Sequence, residues 1–370
     1  MARKDSEPSP KTAAAVKSLR TQIDKLDLQI LKIVNERASL AAEIGKLKND
    51  HGSEVFSPAR EEEVLHNVIA ASKGPLDEAT VRAVFREIMS GSRALQKIIK
   101  VAYLGPEYSF SHLAALERFG NAVEYMRVGS IASVFEEVNR SHVDFGVVPL
   151  ENSTDGGVSD TLDMFMRLPQ LKIGAEVRLR IHHNLMANTE QEMIRRVYSK
   201  PQALAQCRNW LSKNLPHADL KDVSSTAVAA QLAQQEPGAA AVASRQAAVK
   251  YNLRILFADI EDFPHNETRF AVIGHQEAPR TGNDKTALMF RVAHQPGTLV
   301  SALDVFKQNK LNLTWIESFP ARLPKPEYVF FVDFEGHLED PKVKKALNTL
   351  HDRCEEIVIL GSFPMAQLSG

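Results

Sequence analysis

Phe145-Gly-Val-Val-Pro149-Leu-Glu151-Asn152-Ser153-Thr154-Asp-Gly156-Gly157-Val158 decides how the middle of this chain is read. Residues 145–148 form a short apolar run of the buried-strand type. Pro149 has no N–H to give a ladder, so the strand is expected to stop there. Glu151 to Thr154 then crowd polar groups into a loop, Gly156-Gly157 lets backbone approach closely, and an amphipathic helix is expected from about Val158. A strand, a polar loop and a helix start are how an open α/β sheet presents donors to an anionic ligand. An Asx-rich surface turn would carry the same residues, so the flanking segments must decide.

Outward from that stretch, strands are expected at 98–104, 123–128 and 143–148, with helices near 110–119 and 131–140 between them. A helix at 158–167 and a strand near 171–181 follow. A second set comprises a strand at 197–199, a helix at 201–214, a helix at 227–235, and strands at 239–243 and 255–257. This predicts a two-lobed α/β unit with its ligand in the cleft. Residues 276–283 read as a linker, and 284–370 scan as βαββαβ, a ferredoxin-like split motif.

Residues 1–11 are polar and proline-bearing, expected as a disordered lead-in. From Val16 the apolar residues fall on a heptad: Leu19, Ile23, Leu26, Ile30, Ile33, then Leu40, Ile44 and Leu47. A helix over 12–48 would be about 55 Å long at 1.5 Å per residue, so it needs a partner along its length, most simply its own copy. Arg37 sits in the seam, and Arg20 and Lys48 lie one heptad phase over. A guanidinium there needs an anion, either a bound ligand or a register-setting Glu. Helices at 57–73 and 76–97 complete the region; Ser57-Pro58 supplies an N-cap and a first-position proline. Val81, Val84, Phe85, Ile88 and Leu95 form the apolar face of the last helix, with Ser92 and Gln96 beside it.

The 370 residues suggest two or three domains. Lys+Arg of 45 against Asp+Glu of 46 gives net charge −1, so no global field draws the chain to nucleic acid or membrane. Cys207 and Cys354 are far apart with no Cys/His cluster, which argues against a metal site and suits a reducing compartment. No apolar h-region opens the chain and no run reaches about 18 apolar residues, so a cytoplasmic protein is expected.

Leu19-Arg20, Leu26-Asp27, Glu36-Arg37, Gly45-Lys46-Leu47-Lys48, Arg60-Glu61-Glu62-Glu63-Val64-Leu65 and Ser92…Gln96 resemble the all-helical, intertwined chorismate mutase family over 12–97. The resemblance implies a pericyclic rearrangement without nucleophile or proton transfer. The task is to hold a dianion compactly and stabilise charge growing on an ether oxygen. It implies that Arg20, from a partner subunit, and Arg37 bind carboxylates. Lys48 and Gln96 would bond the ether oxygen, and Arg60, Glu61 and Ser92 line the remainder. Ser57 departs from the family's usual Asp.

Gly105-Pro106-Glu107-Tyr-Ser109-Phe-Ser-His112, Gly146-Val-Val-Pro-Leu-Glu151-Asn152-Ser153, Tyr198-Ser199-Lys-Pro201-Gln202 and Asn266-Glu-Thr268-Arg269-Phe270 together resemble prephenate dehydratase over 98–275. This implies decarboxylation with loss of a ring hydroxyl, driven by aromatisation and needing no cofactor. Thr268 would assist the departing hydroxyl. Arg269 would hold a carboxylate, and Glu151, Asn152 and Ser153 would complete the polar wall. Ser199, Gln202 and Phe270 would also face substrate. Thr268-Arg269-Phe270 alone would be an ordinary strand start. Ser109…His112 lacks a triad's third member and reads as a helix N-terminus. His182-His183 reads as one surface and one core histidine rather than metal ligands.

His294-Gln-Pro-Gly297-Thr298-Leu299-Val300 and Ile316-Glu317-Ser318-Phe319-Pro320 resemble the ACT regulatory module. This implies an effector site for L-phenylalanine at Gly297, Thr298, Leu299, Val300, Glu317 and Ser318, although Thr298 and Phe319 depart from the usual motifs. The expected whole is a multidomain α plus α/β enzyme. It would join a helical mutase, a two-lobed periplasmic-binding-protein-like dehydratase and a ferredoxin-like ACT unit. It would act on chorismate and prephenate as a homo-oligomer, dimer or tetramer. An arogenate dehydratase differs by one amino group on the substrate. A non-enzymatic amino-acid-binding regulator would leave Arg37 and Thr268 without purpose.

Overall fold

A computed structural model describes residues 10–50, 56–321 and 327–369. The N-terminal region is α1 (Pro10–Asp50), α2 (Pro58–Ala71) and α3 (Glu78–Ala94). Of the expected lead-in, only Pro10 and Lys11 fall among these residues, and both are already in α1. Proline is tolerated there because the first N–H groups of a helix have no intrahelical partner. The heptad residues Val16 to Leu47 stand 42–64% exposed along α1. Ser57 caps α2 by accepting from Arg60 N. α3 crosses the C-terminal third of α1 at Gly45, where an added Cβ would stand 2.5 Å from Gln96 Cγ. The face α3 buries includes Val81, Met89, Ser92 and Arg93; Val84 and Leu95 of its expected apolar face remain exposed.

The middle region has two lobes. The first runs β1 (Lys100–Leu104), α4 (Phe110–Phe119), β2 (Glu124–Val128), α5 (Ile131–Asn139), β3 (Phe145–Asn152), β4 (Gly156–Gly157), α6 (Ser159–Arg167) and β5 (Lys172–Arg180). The second comprises β6 (Asn184–Ala187), β7 (Arg196–Ser199), α7 (Pro201–Gln206), α8 (Arg208–Asn214) and β8 (Asp219–Asp222). It continues through α9 (Thr226–Gln235), β9 (Ala239–Ala243), α10 (Arg245–Lys250) and β10 (Arg254–Phe257). The chain then returns as β11 (Glu267–Gly274), antiparallel between β5 and β3. The two sheets therefore share two crossovers, at 181–183 and 258–266.

Three expectations are corrected here. Pro149 does not end β3. It lies opposite Phe270, where the register slips, and a bulge accommodates a residue without an N–H. Glu151 and Asn152 are consequently strand residues, paired with Gly157 and Gly156. The helix expected at 201–214 is broken at Cys207 into α7 and α8.

The C-terminal region is β12 (Asp284–Arg291), α11 (Thr298–Gln308), β13 (Leu313–Ala321), β14 (Glu327–Glu335), α12 (Pro341–His351) and β15 (Glu356–Pro364). It is a βαββαβ unit with antiparallel order β13-β14-β12-β15, and β16 (Leu368–Ser369) returns to pair with β5. Strand alternation gives this sheet two apolar faces. Leu288, Phe290, Val332 and Phe334 pack on its helices. Met289, Phe331, Leu360 and Phe363 join the first lobe's core with Phe135, Phe165 and Ile173. The expected linker is itself anchored, for Ala278 is buried and its carbonyl bonds the His337 ring. Phe56 likewise inserts from the helical region against Phe119 and Phe145.

Candidate active sites

The first site is a cavity of about 270 Å³ lined by Arg37, Lys48, Arg60, Glu61, Ser92 and Gln96. Arg37 Nη1 donates to Ser92 Oγ at 2.8 Å, and Ser92 donates onward to Ile88 O at 2.7 Å. Among the described residues of this single chain Arg37 makes no ion pair, and Ser92 is the side chain that holds it. Gln96 Oε1 is buried there with no hydrogen-bond partner among the described residues. That oxygen is an acceptor, which a hydroxyl of a bound ligand would satisfy, while Arg37 and Lys48 suit a ligand's anionic groups. Arg60 lies at the exposed rim, paired with Glu63 at 2.7 Å. Arg20 does not join this cavity. It is exposed on α1, about 26 Å from Arg37 along the axis.

The second site lies where β3, β11 and the crossovers meet. Thr268 Oγ1 accepts from Asn152 Nδ2 at 2.9 Å, so its hydroxyl proton is left to point elsewhere. Asn152 Oδ1 accepts from Thr154 N at 3.0 Å, while its Nδ2 also donates to Asn266 Oδ1 at 3.0 Å. Asn266 donates to Gln206 Oε1, which also stands 2.9 Å from His183 Nε2. An oxygen accepting twice assigns the imidazole proton to Nε2. Burial lowers the His183 pKa and keeps the ring neutral. One polar chain thus runs from Thr268 to the second lobe. Gln202 also spans the lobes, donating to Asp155. Ser153 Oγ accepts from Glu267 N at 3.0 Å and ties the turn to β11.

Four expected substrate contacts are corrected. Arg269 alternates to the opposite side of β11 from Thr268. It pairs with Glu151 at 3.0 Å, Glu176 at 3.4 Å and Asp333 of β14, and lies 5.4 Å from the Trp315 ring centroid. Burial opposes its charge, but the three carboxylates outweigh burial and raise its pKa. It serves the protein rather than a ligand. Phe270 is core, among Val147, Val177 and Val272. Ser199 is buried and donates to Val242 O at 2.6 Å. Glu151 faces Arg269, and burial raises its pKa despite that neighbour.

Asn266, Gln206 and His183 were not singled out for this site from sequence. Asn266 is the first residue of the Asn266…Phe270 motif, which was its available signal. Gln206 carried none. Ser109 caps α4 by accepting from His112 N, and His112 Nδ1 accepts from Tyr108 N. His183 is core and His182 is partly exposed. His182, Asp259 and Glu261 bring ligand-type atoms within 4.8 Å of one another. Glu261 already binds His182 at 2.7 Å and His183 N at 2.9 Å.

In the C-terminal region Gly297 precedes α11 at φ 85°, a conformation that favours glycine. Thr298 Oγ1 bonds Ala293 O and Gln295 O, Leu299 packs toward the core and Val300 is exposed. Glu317 and Ser318 do not act side by side. They alternate across β13, Glu317 lying against Gly157 and Ser318 facing outward.

A helical pocket of cations and amides joined to a two-lobed cleft with a free hydroxyl donor defines a two-site enzyme acting on small anions. Family models described as Chorismate mutase type II and Prephenate dehydratase match residues 19–97 and 101–278. The bifunctional chorismate mutase/prephenate dehydratase of Aquifex aeolicus is 43% identical, over 95% of this chain and 99% of that protein. That of Pseudomonas aeruginosa is 44% identical, over 95% and 98%. A prephenate dehydratase from Arthrobacter aurescens, solved in complex with L-Phe, matches with TM-score 0.67 and 32% identity. That match covers 72% of this chain and 90% of the solved one. The chain belongs to the bifunctional chorismate mutase/prephenate dehydratase family, and both catalytic units of that family are present in it. Among the described residues no helix is long and apolar enough to cross a membrane.

Proposed function

We propose that chorismate is rearranged to prephenate in the helical pocket and prephenate is converted to phenylpyruvate in the cleft. The observation that carries this is Arg37, fixed by Ser92 and, among the described residues, free of protein carboxylates, at a cavity it shares with Lys48 and Gln96. In the pocket Arg37 binds a carboxylate, Lys48 and Gln96 bond the ether oxygen, and Arg60 and Glu61 complete the wall. A second copy of α1 along the exposed apolar stripe brings its Arg20 to this pocket, in an intertwined dimer. In the cleft prephenate loses carbon dioxide and its ring hydroxyl as the ring aromatises. Thr268 donates to the departing hydroxyl, with Asn152 holding the other side of its oxygen.

The two shared crossovers support a periplasmic-binding-protein-like cleft that opens about them. The βαββαβ unit is read as an ACT module that binds L-phenylalanine at Gly297 and lowers dehydratase activity. The L-Phe complex of the Arthrobacter protein supports this reading. Free Cys207 and Cys354 suit a reducing cytoplasm. Adding chorismate to the purified chain should consume it and yield phenylpyruvate; loss of chorismate without that product would sink the second half. L-Phenylalanine binding, titrated by calorimetry, should weaken when a dehydratase-site inhibitor is present. No heat with the full-length chain would remove the effector reading.

A further inference from the structure

We infer that Arg118, in the dehydratase unit, is a positioning residue for the mutase pocket, holding the Glu61 carboxylate neutralised so that a dianion can enter beside it. The inference rests on the mutase reading of that pocket. The last turn of α4 docks on α3, where Phe119 O accepts from Ser90 Oγ at 2.7 Å and from Arg93 Nη2 at 2.5 Å. That docking sets the Arg118 guanidinium, only 10% exposed, 5.2 Å from the Phe56 ring centroid. Its Nη2 lies 3.7 Å from Glu61 Oε2, and its Nη1 lies 3.6 Å from Glu62. Arg93 takes the other oxygen of Glu61.

Arg118 Nε and Nη2 are buried without hydrogen-bond partners among the described residues. Its hold on Glu61 is therefore exerted through charge at a distance. Glu61 meanwhile lines the same cavity as Arg37 and Gln96. Arg93 meets one oxygen of Glu61, and the part of its charge that Arg118 offsets would otherwise repel a dianionic substrate and its transition state alike. Its neutralisation therefore belongs to substrate affinity, not to the chemical step.

The test is Arg118→Gln in the full-length chain. KM for chorismate should rise about tenfold, with kcat within about twofold, and dehydratase kinetics on supplied prephenate should be unchanged. Added salt should shrink the KM difference, because screening weakens the repulsion. Arg118→Lys should recover most of the affinity. In a Glu61→Gln background, Arg118→Gln should have no further effect. An unmoved KM in Arg118→Gln, or an equal rise in the Glu61→Gln background, overturns the role. Should Arg118→Gln fail to fold, Arg118→Met decides: its KM must rise and fall back towards the wild-type value with added salt, and an unmoved KM overturns the role. Arg37→Ala run alongside separates the two levels. Full chorismate turnover in that variant overturns the pocket reading and the role of Arg118 with it. Lost turnover there, with an unmoved KM in Arg118→Gln, overturns only Arg118.

Discussion

In the helical pocket Arg37 and Lys48 face a cavity, spaced at helical intervals on one long helix. In the two-lobed cleft the side chains brought together are a hydroxyl, amides and a neutral histidine. The arginine expected there, Arg269, is turned away onto Glu151, Glu176 and Asp333. The contrast matches the two chemistries. A rearrangement within an intact dianion calls for fixed positive charge where charge accumulates. Expulsion of a hydroxyl calls for a hydrogen-bond donor poised at the leaving oxygen, and the Thr268 hydroxyl, its oxygen already held by Asn152, is the group placed to donate.

The largest expected effect probes the cleft. Thr268→Ala should lower dehydratase kcat by about 10²–10⁴ with KM for prephenate nearly unchanged, as for a group acting in the transition state. Thr268→Ser keeps the donor and should retain much of the rate. Steady-state rates on supplied prephenate decide it: a raised KM at constant kcat would reassign Thr268 to ground-state binding.

Arg37→Ala probes the pocket. It removes a cation and strands Ser92, and should lower mutase turnover by about 10²–10³ while dehydratase activity survives. If both activities fail together as the chain's oligomeric state changes, Arg37 is a structural device and the comparison of two charge strategies fails.

Arg269→Ala sharpens the contrast from the other side. A substrate ligand would raise KM and leave the fold intact. The buried ion cluster predicts instead a loss of about 3–5 kcal/mol, because three carboxylates lose their common cation. Thermal and denaturant unfolding should register it. A stable Arg269→Ala protein with a raised KM for prephenate would restore Arg269 to the substrate.

How far the sequence alone reached depended on the range of each signal. The 41-residue α1 was legible because one heptad period runs its length, and Gly45-Lys46-Leu47-Lys48 together with Ser92 and Gln96 located the pocket. Pro149 was misread because its missing N–H says where a ladder bond is absent, not whether a bulge in its own strand, here at Leu150, accommodates the gap. Arg269 was legible in principle, since neighbours in a strand face opposite ways and a tripeptide cannot send both Thr268 and Arg269 into one cleft. The links from Asn152 through Asn266 and Gln206 to His183 were not legible. They exist only because two crossovers bring separate lobes together. Arg118 was equally silent, as a basic residue near a helix C-terminus is ordinarily a dipole partner facing solvent.

The smallest expected effect concerns pH and the crossover at 181–183. His183 is buried beside His182, Glu261 and Gln206, and burial lowers its pKa below the ordinary 6.5. Above 6.5 the ring is neutral in both folded and unfolded chains and contributes no pH dependence. As pH falls below 6.5 the unfolded chain takes up a proton that the folded chain refuses, so stability drops until the folded value is reached. His112, also lowered by burial, acts with the same sign. Glu151 acts oppositely. With its pKa raised in the folded state, it favours folding as pH falls through that value towards its ordinary one. The two histidines therefore lower the unfolding midpoint of the full chain as pH falls from about 7 to 5.5. His183→Gln keeps a donor towards Gln206 but cannot titrate, so its midpoint should vary less with pH over that interval. Equal slopes in the two proteins would mean that His183 titrates alike in the folded and unfolded chains, and burial would then not be what sets its protonation.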